Sequence, residues 1–121
     1  MNAEAPEKRI YYLQAEFCKT FSHPVRVEII DHLKGGEKSV GELLSLTGIG
    51  KTSLAQHLAV MRQRRVLATR KEGASVIYRI ANSKVIAACN IVREALIDQL
   101  TEDEKTRQLL KAQDKSSGSG G

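Results

Sequence analysis

Tryptophan is absent from this sequence and phenylalanine occurs only twice, which leaves no aromatic platform for stacking successive unpaired bases. Any nucleic-acid partner is therefore expected to be a duplex. No run of about 18 apolar residues occurs, and the opening MNAEAPEKR has no apolar signal core, so neither membrane insertion nor secretion is expected. The expected location is the cytoplasm. The two cysteines, Cys18 and Cys89, are too few and too far apart in sequence to staple a secreted fold, and in a reducing compartment they rest as thiols. The marks of catalysis are also missing: no nucleophile with its base and no suitably set pair of carboxylates is found. Gly48-Ile-Gly-Lys-Thr matches only the end of a P-loop, without its first glycine or the strand before it. An enzyme is not expected, nor a cofactor.

What is present is positive charge. Nineteen Lys and Arg stand against fourteen Asp and Glu, a net +5 that favours polyanionic partners without choosing among them. A length of 121 residues suits one domain with a modest core, and pairing with a second copy would bury more apolar surface.

The hydrophobic pattern is mostly helical. Residues 1–6 read as a flexible lead-in, 7–112 as the folded domain and 113–121 as a disordered Ser/Gly tail. Ile10, Leu13 and Phe17 place a first helix over Glu7 to Thr20. Ser22-His23-Pro24 opens a second, with Val25, Ile29, Ile30 and Leu33 on its apolar face, ending at Gly35-Gly36. Ser39 and Glu42 form a capping box for a short third helix. After the Gly48-Ile49-Gly50 turn, Leu54, Leu58 and Met61 mark the buried stripe of a fourth, Lys51 to Arg64. Val66–Lys71 and Ser75–Ile80 read as a hairpin. Asn82 or Ser83 caps a long last helix carrying Val85, Cys89, Val92 and Leu96, and a Thr101-Glu-Asp-Glu cap adds a further turn or two. The fold class is mainly α with a two-stranded β wing.

Two short helices joined by a glycine turn and followed by a hairpin spell a winged helix-turn-helix. With Leu54, Leu58 and Met61 inward, the residues Lys51, Thr52, Ser53, Gln56 and His57 point outward near the start of the fourth helix, where they can reach base edges. For His57, packing against the hairpin stands equally beside contact with DNA. Arg62, Arg64, Arg65, Arg70, Lys71 and Arg79 gather around that helix and its wing as candidate phosphate partners. Singly, each is an ordinary solvated arginine or lysine; the grouping suggests a function. The other use of such a helix is protein assembly, which would call for apolar residues at Lys51, Thr52, Ser53 and Gln56.

From Phe17 to Leu100 the chain resembles the ArsR/SmtB family of dimeric repressors: FCKTFSHPVRVEIIDHL its opening, TSLAQHLAVMRQRRVL its recognition helix, RKEGASVIYRI its wing. The resemblance implies a homodimer joined through the N- and C-terminal helices, bound to a palindromic operator in double-stranded DNA and released by a chemical signal. The thiol motif of the family's arsenic sensors falls on Ser39-Val40-Gly41-Glu42-Leu43, without cysteine, and no histidine follows His57 to build the zinc sensors' site on the last helix. No metal site is expected. Cys18 and Cys89 lie on the helices that the resemblance assigns to the dimer interface. They serve either as small buried hydrophobes or as sensors of an oxidant, a persulfide or polysulfide, or As(III).

Overall fold

The computed structural model describes residues 6–119, with side chains through residue 113. A 3-10 turn at Pro6–Lys8 leads into α1 (Arg9–Lys19), shorter at both ends than the predicted Glu7–Thr20. Its C-terminal end tightens because the Thr20 N–H turns back to Phe17 O at 3.1 Å. The helix α2 (Pro24–Leu33) starts on proline, and His23 caps it by accepting the Val25 N–H on Nδ1 at 3.2 Å.

A two-residue strand, β1 (Lys38–Ser39), precedes α3 (Val40–Thr47). The capping box forms as expected: the Glu42 N–H donates to Ser39 Oγ at 3.2 Å and the Ser39 N–H to Glu42 Oε1 at 3.0 Å. Gly48 closes α3 at φ 69°, a left-handed conformation that favours glycine, and its N–H reaches Leu44 O at 2.9 Å. The chain then enters α4 (Lys51–Gln63).

The hairpin pairs β2 (Leu67–Glu72) with β3 (Ser75–Ile80) in antiparallel register from Leu67↔Ile80 to Glu72↔Ser75. Gly73, at φ 62°, takes the first loop position, as a tight type II′ turn requires. The expected wing of two strands is in fact part of a sheet of three, ordered β1-β3-β2, because Lys38 and Ser39 pair with Tyr78 and Ile77. Two residues carry no readable alternation. The last helix, α5 (Ser83–Ser119), runs unbroken through Thr101 and takes in part of the 113–121 tail; residues 1–5 of the lead-in and 120–121 of the tail lie outside the described residues.

The chain divides between Ile86 and Ala87 into two compact units. Among the described residues every buried apolar side chain belongs to the first. Ile29, Leu43, Leu54, Met61 and Val66 are 0% exposed, with Ile30, Leu33, Leu58, Leu67 and Val85 nearly so. Each buried leucine or isoleucine contributes about 1.5–3 kcal/mol, so Leu54, Leu58 and Met61 fix which side of α4 faces inward. The second unit is the rest of α5, with Ile91, Val92, Leu96, Ile97 and Leu100 exposed along it.

Candidate nucleic-acid interface

Burial of one face of α4 leaves the other outside. Lys51, Thr52, Ser53 and Gln56 are all exposed at its N-terminal end, and the Gly50 cap supplies no side chain to the first N–H groups. Between Leu43 and Lys71 the sequence has no Asp or Glu at all, while Lys51, Arg62, Arg64, Arg65, Arg70 and Lys71 lie within it. A segment so composed draws anions to the helix and hairpin that carry it.

The junction after α4 is unusual. Arg65 adopts φ 61°, the left-handed region, as the residue just past the helix cap. Two bonds of 2.9 Å define a Schellman closure there, from the Val66 N–H to Met61 O and from the Arg65 N–H to Arg62 O. Glycine is the usual occupant of that position. An arginine held in it costs backbone strain, which accumulates where a side chain is needed for function.

Two of the predicted cations are engaged within the chain. Arg64 Nη2 lies 3.2 Å from Glu16 Oε2 on α1, and Lys19 shares the same carboxylate at 3.3 Å. Lys19 first and Arg64 second hold Glu16 below the usual carboxylate range. Arg70 grips Glu37 with two nitrogens, Nε at 3.1 Å and Nη2 at 3.0 Å, and reaches Glu72 at 2.9 Å. That pairing lowers Glu37 and raises Arg70. The register puts Arg70 and Arg79 on one face of the wing and Lys71 on the other. Among the described residues Lys51, Arg62, Arg65 and Lys71 have no carboxylate partner.

His57 is neither fully outward nor core. It is half-buried, its Nδ1 accepts from Arg26 Nε at 3.1 Å, and its ring lies 4.3 Å from that of His23. Burial first, then the neighbouring His23 and Arg26, hold His57 below the usual imidazole range. Neither partner was legible, since Arg26 lies 31 residues away in sequence and no local spacing marks the pair. The same is true of Glu16 and Glu37. Cys18 is exposed on α1, and Cys89 is half-buried on α5, where burial pushes its thiol up.

A glycine-jointed pair of helices, an exposed polar helix start and a basic hairpin define a winged helix-turn-helix regulator. The chain belongs to the arsR family of bacterial regulatory proteins, whose pattern matches residues 23–68. It is 38% identical over 94 residues to the uncharacterised HTH-type transcriptional regulator Rv0081 of Mycobacterium tuberculosis, an alignment covering 77% of this chain and 82% of that protein. It is 39% identical over 90 residues to the biofilm growth-associated repressor of Xylella fastidiosa, covering 74% of this chain and 78% of that one. In three dimensions the crystal structure of Rv0081 gives a TM-score of 0.72 at 38% identity, over 77% of this chain and 94% of that one. The transcriptional repressor BigR from Xylella fastidiosa gives 0.66 at 37% identity, over 78% and 96%.

Proposed function

We propose that the chain is a transcriptional repressor that binds a palindromic operator as a homodimer and leaves it on a chemical signal. One observation carries the reading: the outer face of α4 is polar and exposed at its start, free of carboxylates along its length and flanked by unpaired cations. A protein-docking face would be apolar there. Thr52, Ser53 and Gln56 read base edges in the major groove while Lys51, Arg62, Arg65 and Lys71 hold phosphates on either side. Dimerisation falls to the apolar residues left uncovered on the terminal helices, Ile10, Leu13 and Phe17 on α1 and Ile91, Val92 and Leu96 on α5. Two-fold symmetry then sets the two reading helices about one duplex turn apart.

The signal acts on the thiols. Cys18 is open to solvent, so an oxidant, polysulfide or As(III) meets it first, and the half-buried Cys89 reacts more slowly because its thiolate is disfavoured.

A mobility-shift titration tests the reading, comparing the duplex upstream of the chain's own coding sequence with random duplex. Preference for the upstream duplex is expected, with affinity falling roughly a thousandfold or more between low and moderate salt if about six to eight cations per dimer meet phosphates. Equal binding to both duplexes counts against a repressor. Cys89→Ser is expected to bind normally but to resist release by polysulfide, oxidant or As(III); full release by all three removes the thiol sensor.

A further inference from the structure

Arg26 is an obligate donor, because guanidinium stays protonated and has no acceptor atom. Its Nε bond to His57 Nδ1 therefore requires a lone pair on that nitrogen and leaves the ring's single proton on Nε2. His23 meets the same condition from another direction: its Nδ1 accepts the Val25 N–H, and its ring packs at 4.3 Å on His57 with the planes tilted by 51°. The lone buried side-chain polar atom without a partner among the described residues is Thr20 Oγ1. His57 as a whole is half-buried, so part of its ring meets solvent, and it follows Gln56 directly on the reading helix.

We infer that Arg26 and His23 are positioning residues, which fix His57 as a neutral Nε2–H donor for a phosphate oxygen of the bound duplex and set the rotation of α4 at its reading end. The assignment rests on the DNA-binding reading above. The charged and titratable groups acting on His57 are Arg26 and His23, both from the α2 side. A proton added at Nδ1 would remove the acceptor and set two cations against each other. Burial works the same way, favouring the uncharged ring. A neutral donor is short-ranged and directional, so it reports the position of a phosphate instead of adding to the general attraction.

The experiment has two arms. In the free full-length protein, nitrogen NMR of the histidine rings near neutral pH is expected to show His57 as the Nε2–H tautomer, with titration completed below the usual imidazole range. In Arg26→Met the tautomer ratio relaxes to that of a free ring, which favours Nε2–H less completely, and the titration moves up. In the second arm, with the upstream duplex, His57→Ala and Arg26→Met each weaken binding about tenfold, the worth of one well-placed hydrogen bond. His57→Gln keeps most of the affinity, since its carbonyl can accept from Arg26 and its amide can donate. An Nδ1–H tautomer in the wild type, a glutamine variant as weak as the alanine one, or Arg26→Met at full affinity overturns the inference. Wild-type protein that ignores the duplex while showing the expected tautomer overturns the DNA reading instead.

Discussion

Replacing Arg65 by glycine is expected to stabilise the free protein and weaken its hold on DNA, because backbone and side chain make opposed demands at that position. At φ 61° the backbone is left-handed, which costs an L-residue about 1–2 kcal/mol. The chain cannot relax out of it without breaking both 2.9 Å Schellman bonds and disturbing Met61 and Val66, each 0% exposed. Glycine removes the strain but gains freedom in the unfolded chain worth about 0.4–1 kcal/mol, which leaves a net stabilisation of about 0.5–1 kcal/mol. In a domain of this size that raises Tm by about 2–6 °C, read by calorimetry at one fixed protomer concentration. The same variant loses a cation. If Arg65 neutralises one phosphate per protomer, the slope of log affinity against log salt becomes shallower by about 1.8 for a dimer. A lower Tm would show that the left-handed turn is unstrained, and an unchanged salt slope would show that Arg65 does not meet a phosphate.

Three further substitutions probe other parts of the argument. Gln56→Ala is expected to weaken specific binding by about 1–3 kcal/mol and leave binding to random duplex unchanged; equal losses would reassign Gln56 to the backbone. Ser39→Ala removes the α3 cap and is expected to cost about 1 kcal/mol in urea denaturation. The Ser39 N–H and hydroxyl hold Glu42 below its ordinary value of 4.5, so this stabilisation is present above that pH and is lost as pH falls through the lower folded value. Ser39→Ala keeps the main-chain bond to Glu42 and loses only the part owed to the hydroxyl, so the gap between wild type and variant narrows slightly in acid, and a gap that widens argues against the box. Leu54→Ala opens a cavity beneath α4 and is expected to cost about 2–5 kcal/mol by the same denaturation, whereas a cost under about 1 kcal/mol would mean that α4 is not seated on the core as described.

The parts legible in the sequence are those with a local cause. Leu54, Leu58 and Met61 announce α4 by spacing alone, and Ser39 with Glu42 announces α3 because both halves of the cap lie within one turn. What escaped the sequence depends on distant partners. The strand at Lys38 and Ser39 exists only because β3 offers Tyr78 and Ile77 opposite, and the carboxylates that engage Arg64 and Arg70 lie 48 and 33 residues away. Thr101-Glu-Asp-Glu resembles a new helix start but sits inside α5, where Glu104 pairs with Arg107 and accepts from Gln108 at 3.2 Å one turn later. A left-handed Arg65 has no signature, since the glycine that would mark such a turn is the residue it replaces.

The division between tied and untied cations bears on how the reading helix is aimed. Exposed pairs such as Arg64 with Glu16 or Arg70 with Glu37 contribute little to stability, so their consequence is geometric. The first joins the C-terminal end of α4 to α1 and the second joins the wing to the loop before β1. Each also sets a carboxylate beside the arginine, so on the proposed reading a duplex would be drawn toward the cations that have none. Among these are Lys51 before the reading residues, Arg62 and Arg65 after them and Lys71 near the hairpin tip. A helix of 13 residues spans about 20 Å, so on the reading proposed above phosphates gripped at both ends would fix the register of Thr52, Ser53 and Gln56 against the base pairs between. Specificity in such an arrangement depends on where positive charge is withheld as much as on where it is supplied.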